Sequence, residues 1–205
     1  FIDIAPTFTD AAGIEAFVGF SGRSLFDVFA AEGSGMVTPD RQRAYMGRER
    51  HDMGREGDLG YPVRCIRTPQ YLYVRNFAPE RWPMGDPKGL DDPATEPPSY
   101  DELANDTMIA YADLDAGPSK AWMVHHRGEA SVRDLFAMGF GKFPAEELYD
   151  LAADPHYMTN VAGDPAHART RQELSDRLMA VLRDQDDPRV VEDPCRYEQP
   201  PYTDV

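Results

Sequence analysis

Basic residues are scarce in this chain. Lys and Arg total 21 against 36 Asp and Glu, a net charge of -15. So acidic a polypeptide has no general electrostatic surface for nucleic acid. An anionic ligand would need a local basic pocket set against the overall field. Cysteine is rarer still: Cys65 and Cys195 are far apart and fit neither a CxxC nor a zinc spacing, so two unpaired thiols are expected. No apolar run approaches the ~18 residues of a membrane span. No HExxH, DxDxDG, G-x-S-x-G or P-loop pattern is present, which removes the common self-contained metal, calcium, serine-hydrolase and nucleotide sites. No signal peptide is visible either. The chain opens on Phe1-Ile2-Asp3 without a methionine and reads as a piece of something longer, so its compartment is not legible.

What is present suffices for a core. Hydrophobic residues make up 41%, with 10 Phe, 10 Tyr and 2 Trp, too many for wholesale disorder. The 18 prolines are concentrated in 79–98 and 188–201, which hold ten of them, and mark those stretches as irregular. Four short segments carry strand patterns: Gln42–Gly47, Tyr61–Arg67, Tyr71–Asn76 and Glu147–Leu151. Thr68-Pro69-Gln70 has the length of a hairpin connection between the second and third. In the fourth, Leu148 shares a side with Asp150, and Asp154-Pro155 stops the strand. Arg64, Arg67 and Arg75 are expected to face solvent or a neighbouring domain.

Helices are expected over 3–13, with Asp3 as cap and Phe1, Ile4, Phe8 and Ala12 on one face, and over 23–31, 101–114, 119–126 and 131–138. The longest covers 165–185, where Leu174, Leu178, Val181 and Leu182 share a face. The fold class is therefore α+β: a small antiparallel sheet of about four strands packed with helices, a long C-terminal one among them. Residues 1–35 form a helical end, 36–185 the main body, and 186–205 a proline-rich tail expected to be extended or disordered.

The densest charge cluster runs Arg48-Glu49-Arg50-His51-Asp52, where a strand enters a loop punctuated by Gly54, Gly57 and Gly60. Such strand ends commonly carry function. Arginine offers a planar fork to sulfate or carboxylate, and histidine and aspartate can bind sugar hydroxyls. The bland alternative is a solvated charge cluster at a turn. His125 and His126 are adjacent on a helix and point about 100° apart, so they do not readily share a metal.

An ordered series of short motifs resembles the C-terminal part of a sulfatase. It runs D-I-A-P-T at 3–7, G-R-E-R-H at 47–51, G-Y-P-V-R-C-I-R-T at 60–68 and Y-L-Y-V-R-N-F at 71–77. It continues with R-W-P at 81–83, S-K-A-W at 119–122 and F-G-K-F-P-A-E-E-L-Y-D-L at 140–151, followed by D-P and N-V-A. The series covers nearly the whole chain and is most similar to the bacterial sulfatases that resemble heparan N-sulfatase. The resemblance implies an alkaline-phosphatase-like fold, whose smaller C-terminal subdomain has a four-stranded antiparallel sheet and a long helix. It also implies a formylglycine nucleophile, made from the cysteine of C-x-P-S-R, and a calcium ion in the complete enzyme. Cys65 is followed by Ile66-Arg67-Thr68 and Cys195 by Arg196-Tyr197-Glu198, so neither fits that motif. No catalytic residue and no metal ligand is expected in this chain. Arg50-His51-Asp52 stands where these enzymes contribute substrate-binding residues from the small subdomain, and Arg48 joins them.

The expectation is a sulfatase portion for sulfate esters or N-sulfated sugars, glycosaminoglycans among them, inactive alone. Its partners would be an absent N-terminal catalytic domain and a sulfated carbohydrate, with neither nucleic acid nor membrane. An exposed apolar patch including Phe1, Ile4 and Phe8 would pair with the absent half or with itself. A periplasmic or secreted location follows from the resemblance alone. The rival is a non-catalytic acidic interaction module built on the same subdomain, which a surface without an orphan apolar patch would favour. A self-contained hydrolase using His51 and Asp52 ranks last for want of a nucleophile.

Overall fold

The computed structural model describes residues 1–15, 19–50 and 53–199. The chain divides into two compact units, Phe1–Ala44 and Tyr45–Val205.

The first unit holds α1 (Ile4–Ala11) and the short α2 (Phe26–Phe29). Asp3 precedes α1 but makes no side-chain cap. Its carboxylate instead accepts from the Arg23 amide at 2.9 Å and from Arg41 Nη1 at 3.1 Å. Arg41 also reaches Asp27, so one guanidinium ties both helices together. The buried residues of α1 are Pro6 and Thr7, while Phe1, Ile4 and Phe8 are exposed as expected. The expected helix over 23–31 contracts to one turn.

In the second unit a four-stranded sheet runs in the order β1-β2-β3-β4, with β1 Ala44–Arg48, β2 Val63–Arg67, β3 Tyr71–Asn76 and β4 Glu146–Asp150. The β2–β3 and β3–β4 pairs are antiparallel. Register places Ile66 opposite Tyr73 and Tyr73 opposite Leu148, a fully buried row across three strands. The longest helix, labelled α6 below, lays Leu174, Leu178 and Leu182 on that row. Each such buried side chain contributes about 1.5–3 kcal/mol. The hairpin is closed by the Thr68 amide on the Tyr71 carbonyl at 2.8 Å. The free edge of β4 is covered by Asn160-Val161-Ala162. Asn160 Oδ1 accepts from the Leu148 and Ala162 amides, both at 2.9 Å, and the Val161 amide donates to the Leu148 carbonyl. The strand ends at Asp150, well before Pro155, so proline does not stop it.

Between β3 and β4 come α3 (Tyr100–Asn105), α4 (Pro118–His125) and α5 (Arg133–Phe140). They enclose a second core around Leu103, Tyr111, Val124 and Phe140. Ser99 and Glu102 form a reciprocal cap on α3. Asp106, in an extended conformation, ends it, so the helix expected over 101–114 stops early. Lys120 is buried and donates to the carbonyls of Thr107, Tyr111 and Leu114. Arg127 does the same for Leu90, Val124, Asp92 and Thr95. Arg127 thereby satisfies carbonyls of the proline-rich stretch, and Lys120 those of the irregular segment after α3, neither of which has a ladder of its own.

α6 spans Ala168–Asp184. The tail is not extended throughout. Asp187 caps the short α7 (Pro188–Val191), and a 3-10 turn follows at Arg196–Glu198. Arg64 does not face solvent either. It is 7% exposed, and Asp187 lies on it. No helix among the described residues is long and apolar enough to cross a membrane.

Candidate functional site

Arg48 is the last residue of β1, and the backbone turns after it into a glycine-punctuated loop. The stems of that loop meet where the Tyr61 amide donates to the Glu49 carbonyl at 2.6 Å. A Cβ on Gly60 would lie 2.4 Å from that carbonyl oxygen, so the close approach needs glycine. Further on, the Gly54 carbonyl accepts from the Asp86 amide, and the Glu56 amide donates to Asp86 Oδ2, both at 2.7 Å. His51 and Asp52 lie outside the described residues. The backbone on either side of them is anchored.

Arg48 Nη2 donates to Asp113 Oδ2 at 2.6 Å. The Asp113 side chain is fully buried, and Arg55 Nη2 donates to the same oxygen. Arg55 is also buried and donates to the Trp82 and Pro83 carbonyls at 2.8 and 2.9 Å. Burial holds its pKa below the ordinary arginine value, and Asp113 offsets part of that. The Arg48 and Arg55 guanidiniums lie 5.8 and 5.5 Å from the centre of the Tyr61 ring. Asn76 Nδ2 donates to the Tyr61 hydroxyl at 2.8 Å. Burial, with Glu147 adding, pushes the Tyr61 phenol up to about 12, so it stays protonated at neutral pH.

Arg50 is half-buried, two residues beyond β1. Arg48 and Arg50 both stand where β1 runs into its loop. Asp113 and Arg55 fall in none of the motifs, and Tyr61, which falls in G-Y-P-V-R-C-I-R-T, carries no expectation of a site role. Asp113 joins the site from 65 residues away, with no spacing signal to reveal it.

Beside this site runs a second chain of ion pairs. Arg64 donates to Asp187 Oδ2 and Glu49 Oε1 at 2.6 and 2.7 Å. Arg189 donates to Glu49 Oε2 and Glu198 Oε1 at 2.6 and 2.5 Å, and Arg81 to Glu198 Oε2 at 2.8 Å. Glu49 therefore fixes the tail rather than facing a ligand.

The second sequence candidate is dispersed. His125 packs on Tyr100, while His126 stacks on Trp122 and meets Glu129 Oε1 at 2.6 Å. Both cysteines are free, and burial pushes the Cys65 thiol up. Among the described residues no group of three or more His, Cys, Asp or Glu is arranged to hold a metal ion. In particular Asp113 Oδ2 already faces two guanidiniums, so it does not fit a calcium site. The arrangement can bind an anion. Among its described residues there is no hydroxyl or thiol paired with a base.

No protein-family model and no curated protein matches the chain. Among solved structures it is similar to a protein in complex with its substrate D-glucosamine-2-N,6-O-disulfate, at 21% identity and a TM-score of 0.50, over 93% of this chain and 25% of that one. It is similar also to a 2-O glycosaminoglycan sulfatase, at 19% identity and a TM-score of 0.45, over 90% of this chain and 25% of the other. A protein from the glycosaminoglycan metabolism of Bacteroides thetaiotaomicron aligns at 15% identity and a TM-score of 0.46, over 98% of this chain and 29% of its own. The first of these likenesses establishes a shared fold. The chain spans about a quarter of the length of the structures it matches.

Proposed function

We propose that this chain is the C-terminal portion of a sulfatase acting on sulfate esters or N-sulfated sugars, and that it supplies one wall of the substrate cleft. The observation that carries the reading is the state of Arg48. One terminal nitrogen is held by buried Asp113, and among the described residues no acceptor meets its Nε or Nη1. A sulfate or sulfamate oxygen pair suits that free edge, because the fork is planar and two parallel donors match two oxygens. The motif series, the shared fold and the quarter-length coverage support the assignment to a larger enzyme. Arg48, Arg50, His51 and Asp52 are the proposed substrate-binding set.

On this reading the nucleophile and the calcium belong to the remainder of the protein, and the chain does not turn over substrate alone. The exposed Phe1, Ile4 and Phe8 speak for a covered or self-paired face, and against the acidic interaction module, which has no use for them. The decisive experiment is in two parts. The coding sequence upstream of Phe1 should contain C-x-P-S-R. In the complete enzyme, Arg48→Ala should lower kcat/KM for a sulfated glucosamine by roughly 10- to 100-fold, the range for a lost hydrogen bond to a charged group. An upstream sequence without the motif, or unchanged kinetics, defeats the reading.

A further inference from the structure

We infer that Asp113 is the positioning residue of this site: it holds Arg48 by one terminal nitrogen and so presents the opposite edge of the guanidinium to the sulfate group of a sugar. The inference rests on the proposed role of Arg48 and adds the residue on which that role depends.

Three observations carry it. First, Asp113 is itself immobilised. Its amide donates to the Met84 carbonyl at 3.0 Å. A Cβ on Gly54 would come within 3.3 Å of its backbone nitrogen, so the loop packs closely against it. Gly85, at φ +88, brings the neighbouring turn against the same segment.

Second, the carboxylate is shared unequally. Arg55 is 3% exposed in its side chain and spends its other donors on the Trp82 and Pro83 carbonyls. Arg48 is 34% exposed and has no such carbonyls. Arg55 alone would neutralise Asp113, so Arg48 is surplus to a structural pair. Among the described residues two guanidiniums donate to this one carboxylate, an electrostatic setting that favours a further anion at Arg48.

Third, the Tyr61 ring lies 5.8 Å from the Arg48 guanidinium and is fixed through Asn76. With a ring beside it and a carboxylate on Nη2, the guanidinium keeps its Nε and Nη1 donors clear of any acceptor among the described residues. Pre-set geometry of this kind removes the side-chain ordering that a long arginine otherwise loses on binding.

The test uses this chain, titrated with D-glucosamine-2-N,6-O-disulfate and, as control, D-glucosamine, with the guanidinium NMR signals of Arg48 as readout. Arg48→Ala should abolish the sulfate-dependent shift changes. Asp113→Asn should weaken binding by roughly 10-fold, Asp113→Glu should recover part of the loss, and Asp113→Asn should have no further effect in the Arg48→Ala background. If Arg48→Ala weakens binding while folded Asp113→Asn does not, or if the two effects multiply, the inference about Asp113 fails alone. If Arg48→Ala changes nothing, the substrate-binding reading fails and takes the inference with it. Should Asp113→Asn not fold, the unaltered chain decides. Slowed rotation of the Arg48 guanidinium supports the inference, and free rotation overturns it.

Discussion

Arg64 in β2 and Asp187 at the start of α7 are joined by two hydrogen bonds, Nε to Oδ2 at 2.6 Å and Nη2 to Oδ1 at 3.0 Å, across 123 residues of sequence. The pair is bidentate and mostly buried, with side chains 9% and 14% exposed. It continues through Glu49, Arg189 and Glu198 to Arg81, so three cations and three anions alternate along one seam. These charges tie the tail to the sheet, and Val190 adds an apolar contact with the core.

Removing one member of such a buried pair strands the other. Asp187→Ala should therefore cost about 3 kcal/mol, at the lower end for broken buried pairs because some solvent reaches both groups. In a chain of this size that is a fall in Tm of about 6–12 °C. Calorimetry checks the magnitude, and limited proteolysis should show new cleavage within 186–199. An unchanged Tm would mean that the tail is held some other way.

The seam also fixes a pH dependence. Burial alone would raise Asp187 and Glu198, but their hydrogen bonds to Arg64, Arg81 and Arg189 outweigh it and hold both below ordinary carboxylate values. A folded pKa below the unfolded one means stability present above the unfolded value and lost as pH falls through the folded one. The part of Tm that Asp187 and Glu198 supply should be level above about pH 5 and fall below about pH 4. Glu147 acts in the opposite sense, because burial raises it, and its contribution shrinks as pH rises through its folded value. In Asp187→Asn/Glu198→Gln the acid limb of the Tm profile should become shallower. An equally steep limb would place the acid sensitivity in other groups.

Tyr111 offers a different kind of test. Its ring packs edge-on against Phe136 and Phe140, and all three line a cavity of about 220 Å³. Its hydroxyl is buried with no hydrogen-bond partner among the described residues, and burial pushes the phenol up to about 12. Tyr111→Phe should thus leave stability unchanged or raise it by up to about 1–3 kcal/mol, the cost of an unpaired buried polar group. Tyr111→Ala should cost about 3–5 kcal/mol through lost packing. Urea titration separates the two. A loss of stability in the Phe variant would reveal a partner for the hydroxyl.

Much of the sheet was legible because local pattern decides it. Alternation over Tyr71–Asn76 and the three-residue connection before it are short-range features, and the structure has the strand with the expected bounds. The leucines of α6 follow the helical period and meet the core as expected. Charge placement was not legible. Alternation tells which side of β2 Arg64 occupies, but what covers that side arrives from α7. Likewise a proline-rich, charged tail reads as extended, because composition does not reveal that its charges have partners on distant strands.

The sequence by itself determined the α+β class, the strands and their hairpin, and the gathering of arginines where β1 runs into its loop. Periods of 2 and 3.6, turn residues and proline act over a few residues and are written in order. Only the tertiary structure decided that Arg48 has a carboxylate behind it, that Arg64 is buried, and that the charged tail turns back onto Arg64 and Glu49. Each of those depends on which remote segment arrives at the residue, and Coulomb attraction and exclusion of water act through space, without regard to position along the chain.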